Sequence, residues 1–381
     1  MRHRMLTLLS IAVLATFTLA FTASAESISL PPSGGNQRQT VIQHIGLVTA
    51  TIDYSSPHVH SPAGEDRHGK IYGTLVPYGL TNLGFGPCKS CPWRAGANEN
   101  TTFEVSNDVM IDGQQLPAGK YGLHLIADPS EWTVVFSKNS TSWGSFFYDP
   151  AEDQLRVKVK PQKSDYHEVL SWEFPERKQD TATVAMKWED LAVPFTITVP
   201  NQTDLYLAKI RQELRNSPGF DWENWQAAAQ FALTQKHPVE GLEWAEGAAH
   251  APNGIGEENF LTLITLSDAQ AANGKTAEAK VSRDKALAHP AATPLQIHGY
   301  ARQLMQRGKK EEALEVWQFN AKRYGEVWPM TAGLARGYSA VGKFDQALKY
   351  AKLAAAQAPD EMNKKGWAAN VEKLAAGKDI N

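Results

Sequence analysis

Neither sign of charge dominates this 381-residue chain, in which 38 Lys and Arg stand against 41 Asp and Glu. Without a basic excess or a long basic run, a nucleic-acid partner is not expected. Cysteine is scarce, with only Cys88 and Cys91, too few for a disulfide-built scaffold. After the first 25 residues no apolar run is long enough for a bilayer, so no membrane span is expected in the product. The familiar catalytic signatures are also missing. H-E-x-x-H, G-x-S-x-G, a phosphate-binding Gly-Lys loop and a dinucleotide fingerprint are all absent. Disorder is excluded from the other side, because 42% of the residues are hydrophobic.

What is present begins with an address. Arg2 and Arg4 precede an uncharged apolar run over 6–21, and Ala23-Ser24-Ala25 supplies small residues for cleavage before Glu26. Residues 1–25 are therefore expected to be a secretory signal peptide, and the product periplasmic or extracellular.

Beyond it the chain changes character at Thr203/Asp204. Residues 26–203 contain 10 Ala, whereas 204–381 contain 34. Alanine favours helix, so a β half followed by an α half is predicted. The first half alternates with period two, as in Val48/Ala50/Ile52/Tyr54, Trp132/Val134/Phe136, Leu170/Trp172/Phe174 and Val184/Met186/Trp188. That pattern belongs to antiparallel strands with one buried face. Eight to ten strands over 35–203 predict an antiparallel β-sandwich or a partly closed barrel. Asp112-Gly113 and Pro117-Ala118-Gly119 mark turns.

The second half repeats. Gly241, Gly274, Gly308, Gly342 and Gly377 recur about every 34 residues, and Ala279, Ala313 and Ala347 each lie five residues after a glycine of this series. This spacing resembles the tetratricopeptide repeat, two antiparallel helices joined by a tight turn. Over 204–381 it predicts an α-solenoid of three to four helix pairs, with a capping helix near 362–376.

Three clusters could carry chemistry. Trp93-Arg94-x-x-x-Asn98-Glu99 brings together a stacking ring, a fixed cation, an amide and a carboxylate, suited to holding a small ligand. An internal Arg94–Glu99 pair that merely orients the loop is the competing reading. His58-x-His60-x4-Glu65, with His124 as a fourth ligand, has the spacing of a cupin-type metal site, although Pro57 and Pro62 place it in a loop. Cys88-Lys89-Ser90-Cys91 reads as a local disulfide, with a zinc site shared with His58 and His60 as the alternative.

Several stretches of the β half resemble one bacterial secreted family, domain of unknown function 2911. They are Pro77-Tyr78-Gly79, Trp93-Arg94-Ala95-Gly96-Ala97-Asn98-Glu99, Leu116-Pro117-Ala118-Gly119-Lys120-Tyr121, Glu131 to Phe136 and Trp143-Gly144-Ser145-Phe146. The likeness covers most of 35–200 and implies export, but brings no established reaction with it. Lys70 stands where the family pattern usually has Arg, and 80–92 lengthens a loop.

The leading expectation is a non-enzymatic envelope protein. Its repeats would hold a protein or peptide partner, its β half a small ligand, and it would need no cofactor. The alternative is a cupin-like enzyme using one divalent transition metal at His58, His60, Glu65 and His124.

Overall fold

In a computed structural model the described residues are 35–381. The expected signal peptide lies outside them. The chain divides into two compact units after Pro200, three residues ahead of Thr203/Asp204, because helix already begins at Gln202.

Ten strands build the first unit. One sheet runs β1 (Gln37–Ile45), β2 (Val48–Ser56), β3 (Thr102–Val105), β6 (Gly119–Ile126), β7 (Trp132–Ser137) and β8 (Asp153–Val159). The other runs β5 (Gln114–Leu116), β4 (Val109–Ile111), β10 (Thr181–Thr198) and β9 (Gln162–Arg177). All pairings within the two sheets are antiparallel. Asp112 and Gly113 form the two-residue turn between β4 and β5, both with positive φ (44° and 81°), as a tight hairpin requires.

The alternating residues face a core between the sheets. Phe103 and Phe136 of the six-stranded sheet meet Phe195 of the other at centroid distances of 6.0 and 5.7 Å. Trp172 lies 6.2 Å from the same ring. Tyr54, Trp132, Trp172 and Trp188 are each 2% exposed or less. The sheets stay separate, so the architecture is a sandwich and not a closed barrel.

The second unit holds ten α-helices among the described residues. After α1 (Gln202–Glu213) come four antiparallel pairs: α2 (Trp222–Thr234) with α3 (Pro238–His250), α4 (Phe260–Ala272) with α5 (Thr276–Ala288), α6 (Pro294–Gln306) with α7 (Lys310–Tyr324), and α8 (Met330–Ala340) with α9 (Phe344–Gln357). Helix α10 (Glu361–Ala375) packs on α9 as the cap.

Three turns share one cap. Gly274, Gly308 and Gly342 each have φ +76°, and Lys275, Lys309 and Lys343 each donate a backbone N–H to a carbonyl five residues back, at 2.9 Å. This closure needs a left-handed residue, which glycine supplies at least cost. Ala279, Ala313 and Ala347 are buried where the second helix crosses the first.

Gly241 departs from the expectation. It lies inside α3, and the α2–α3 turn is made by Lys236 at φ 64°. There His237 N–H donates to the Ala232 carbonyl at 2.8 Å in the same pattern. Gly241 is small for another reason: a β-carbon on it would stand 2.9 Å from the Leu233 side chain.

Candidate ligand pocket

Between β2 and β3 the chain leaves the sheet over 57–101, longer than ordinary loops and of the kind that carries function. Isolated bridges hold it down: His58 to Val169 on β9, Tyr78 to Ala127, Thr81 to Cys91, and Trp93 to Leu125 on β6. Trp93 and Leu125 exchange both backbone hydrogen bonds at 2.8 Å, so the Trp-Arg motif is tied directly to a core strand.

Two residues of the motif hold left-handed backbone, Ala95 at φ 55° and Asn98 at φ 58°. For alanine this is strained, and such strain gathers at functional sites. It is secured by Trp172, whose indole N–H donates to the Ala95 carbonyl at 3.2 Å. The tight curl returns the Asn98 carbonyl to accept from Arg94 Nη1.

Arg94 is half-buried, and burial lowers its pKa. Its guanidinium lies over the Phe146 ring at 4.9 Å. Close against it is Gly144, at φ +56°, where any β-carbon would collide with the guanidinium. Ser145 donates to the Pro92 carbonyl at 2.6 Å, clamping the two stretches together. The Trp-Arg-x-Gly and Trp-Gly-Ser-Phe stretches, about fifty residues apart, thus build one site.

That site borders a cavity of about 320 Å³, lined among others by Arg67, Arg94, Trp93, Trp188, Pro77 and Cys91. Trp93 stacks on Trp188 at 6.0 Å with planes 18° apart. Arg67 donates to the backbone carbonyls of Val59 and His58 at 2.9 and 2.8 Å. Among the described residues no carboxylate lines the cavity, and none pairs with Arg67 or Arg94.

The four residues expected to hold a ligand therefore divide. Trp93 and Arg94 line the cavity. Asn98 accepts from Asn36 at 3.1 Å and Glu99 accepts from the Ser55 hydroxyl at 3.2 Å, so both brace the loop. The internal Arg94–Glu99 pair does not form among the described ion pairs. Sequence reasoning missed Arg67 and Trp188 because nothing local links them to the motif. Gly144 and Phe146 stood in plain view inside Trp-Gly-Ser-Phe.

The expected metal set is not assembled. Among the described residues no group of three or more His, Cys, Asp or Glu is placed to hold a metal ion. His60 Nδ1 instead meets Glu168 at 2.9 Å, and His58 Nδ1 lies 3.9 Å from the same carboxylate. Desolvation opposes ionisation of Glu168, yet hydrogen bonds from Tyr166 and from the backbone and ring of His60 hold its pKa at about 2. Exposed Glu65 contributes its backbone N–H to a local bond with Ser61. His124 is buried on the other face of β6 from core-facing Leu123 and Leu125, 5.5 Å from the Tyr148 ring. Burial, with Arg94 nearby, pushes its pKa down to about 3. Cys88 and Cys91 are placed as a disulfide pair with Cα atoms 5.8 Å apart, not as ligands shared with His58 and His60.

Residues 36–197 match the family model described as "Protein of unknown function (DUF2911)". The DUF2911 region thus spans the sandwich to within one residue of its end and includes both stretches that enclose Arg94. No curated protein matches the chain. Solved structures similar to it include the crystal structure of MamA, at 14% identity and TM-score 0.29, and that of a thermophilic TPR protein of Thermus thermophilus, at 16% identity and TM-score 0.28. Each match covers 46% of this chain and 91% of the other.

The helical unit has cavities of its own, lined largely by the first helices of successive pairs. Helices α2, α4 and α6 contribute Gln230, Thr265, Asp268 and Gln303 to one of about 700 Å³. Helices α6, α8 and α10 contribute His298, Arg302, Arg336 and Trp367 to another of about 490 Å³. In the first, Arg307 pairs with Asp268 at 2.7 Å. No helix among the described residues is long and apolar enough to cross a membrane.

Proposed function

We propose that this protein is an exported, non-enzymatic binding scaffold whose helical repeats hold a protein or peptide partner and whose β unit holds a small ligand. The observation that carries the reading is the pair of cavities along the first helices, one over α2, α4 and α6 and one over α6, α8 and α10. In a stacked helical array this face offers an extended surface that no single repeat possesses. Polar and aromatic side chains occupy it where an unused surface would need only solubility. The signal-like residues 1–25 support passage across the inner membrane.

The test is site-specific photocrosslinking in the producing cells. A crosslinker at Gln230 or Arg302 is expected to capture the same polypeptide, while one at Val281, an exposed residue of a second helix, captures none. Equal capture from Val281, or no capture from the first helices, would sink the partner reading.

A further inference from the structure

We infer that the cavity beside Arg94 binds a small monocarboxylate with a flat apolar body, such as a single aromatic ring. This rests on the proposal that the β unit holds a small ligand, and names its class.

The argument starts from charge. Two guanidinium groups, Arg67 and Arg94, border one cavity whose lining holds no Asp or Glu. Their side-chain hydrogen bonds go to neutral carbonyls, those of His58 and Val59 for Arg67 and that of Asn98 for Arg94. Such bonds fix where each group points and leave its positive charge uncompensated. A half-buried cation without a counter-charge is costly, and the missing partner of an arginine fork is a planar oxyanion.

A second observation is independent of the arginines. Trp188 lines the same cavity, is 1% exposed, and its indole Nε1 is buried without an acceptor among the described residues. Buried donors are nearly always paired, so an orphaned one beside a cavity marks a place for an acceptor. Ser145, also in the lining, already spends its hydroxyl proton on the Pro92 carbonyl. The side-chain hydrogen bonds of Arg67, Arg94 and Ser145 are all donations, and Trp188 has only a donor to offer. That combination selects an anion over a cation or a neutral sugar.

The walls set the rest of the ligand. Pro57, Pro62, Pro77 and Pro92 line the cavity together with the stacked Trp93 and Trp188, a surface that favours a flat apolar group over a hydrated one. A volume of about 320 Å³ lies at the small end for ligand sites, suiting one ring and not a nucleotide. Gly144 keeps the guanidinium seated, because a side chain there would displace it.

The experiment is calorimetric titration of the full-length mature protein with four probes: benzoate, benzamide, acetate and inorganic phosphate. Tryptophan fluorescence follows the Trp93–Trp188 stack. Benzoate is expected to bind one to one and quench the fluorescence, with benzamide and acetate each at least about tenfold weaker. Arg94→Gln and Gly144→Ala should both lose benzoate binding, and Arg67→Gln should weaken it. The benzoate–benzamide contrast on the unaltered chain needs no variant to fold. Equal binding of benzamide overturns the anion while leaving a small-ligand site standing. Phosphate binding as tight as benzoate overturns the apolar body. No binding by any probe, with crosslinking at Gln230 intact, overturns this inference and leaves the partner reading untouched.

Discussion

The two units solve the same problem, presenting side chains on a rigid frame, by opposite routes. In the helical unit each turn within a helix pair closes through a bond five residues long, and the same cap recurs at Gly274, Gly308 and Gly342. In the β unit the cavity is assembled from Arg67, Arg94, Ser145 and Trp188, brought together only by the pairing of sheets and bridges. A surface built from local closures is extended and repetitive. One built from distant contacts is enclosed and singular, and there burial can sharpen a charge.

The sharpest way to break this contrast is Trp172→Ala. It removes a fully buried ring between the sheets and the hydrogen bond that secures the Ala95 carbonyl. A loss of about 3–5 kcal/mol is expected, together with loss of the cavity beside Arg94. Near-ultraviolet signals of the sandwich should melt early while the far-ultraviolet helical signal keeps its midpoint. A common shift in both would show that the units do not unfold independently.

Gly333→Ala is the counterpart in the helices. A β-carbon there would collide with the Trp317 indole, whose Nε1 donates to His298 at 3.1 Å. Overpacking should cost about 1–3 kcal/mol and lower only the helical midpoint in urea. An unchanged midpoint would mean that the α7–α8 packing yields more easily than a close-packed core should.

The smallest effect at neutral pH compares a buried histidine with a half-buried one. Burial, then Arg94, lowers His124 to about 3, and burial, then Arg302 and Arg336, lowers His298 to about 4, from an ordinary 6.5. Each is neutral when folded, whereas the unfolded chain takes up its proton near the ordinary value. Their contribution to stability is therefore complete above about pH 6.5 and shrinks as pH falls toward these lowered values. His124→Phe should flatten the acid side of the sandwich's stability curve and leave that of the helices alone. An unchanged acid slope would assign the loss to other groups.

How much was legible follows from the range of each constraint. Strands announce themselves because one face is buried, so Val48, Ala50, Ile52 and Tyr54 alternate with wetter neighbours. The capping glycines do so because only a left-handed residue closes the turn. Gly241 fell into the same period and misled, since a helix interior can require glycine for packing and Lys236 can take the left-handed position in its place. Trp93 and Arg94 were readable as a site, but the bracing roles of Asn98 and Glu99 depend on Asn36 and Ser55, remote in sequence. The histidine spacing likewise gave no sign of Glu168, which engages His60 from β9.

By itself, then, the sequence determined the order of the two units, the strands and helices within them and the repeating turns, all set by burial patterns and backbone preferences within a few residues. Tertiary structure alone decided that the sheets form a sandwich, that His124 is buried against Tyr148, and that two arginines share a cavity without a carboxylate. Those depend on which distant segments meet, and such meetings leave no period in a single chain.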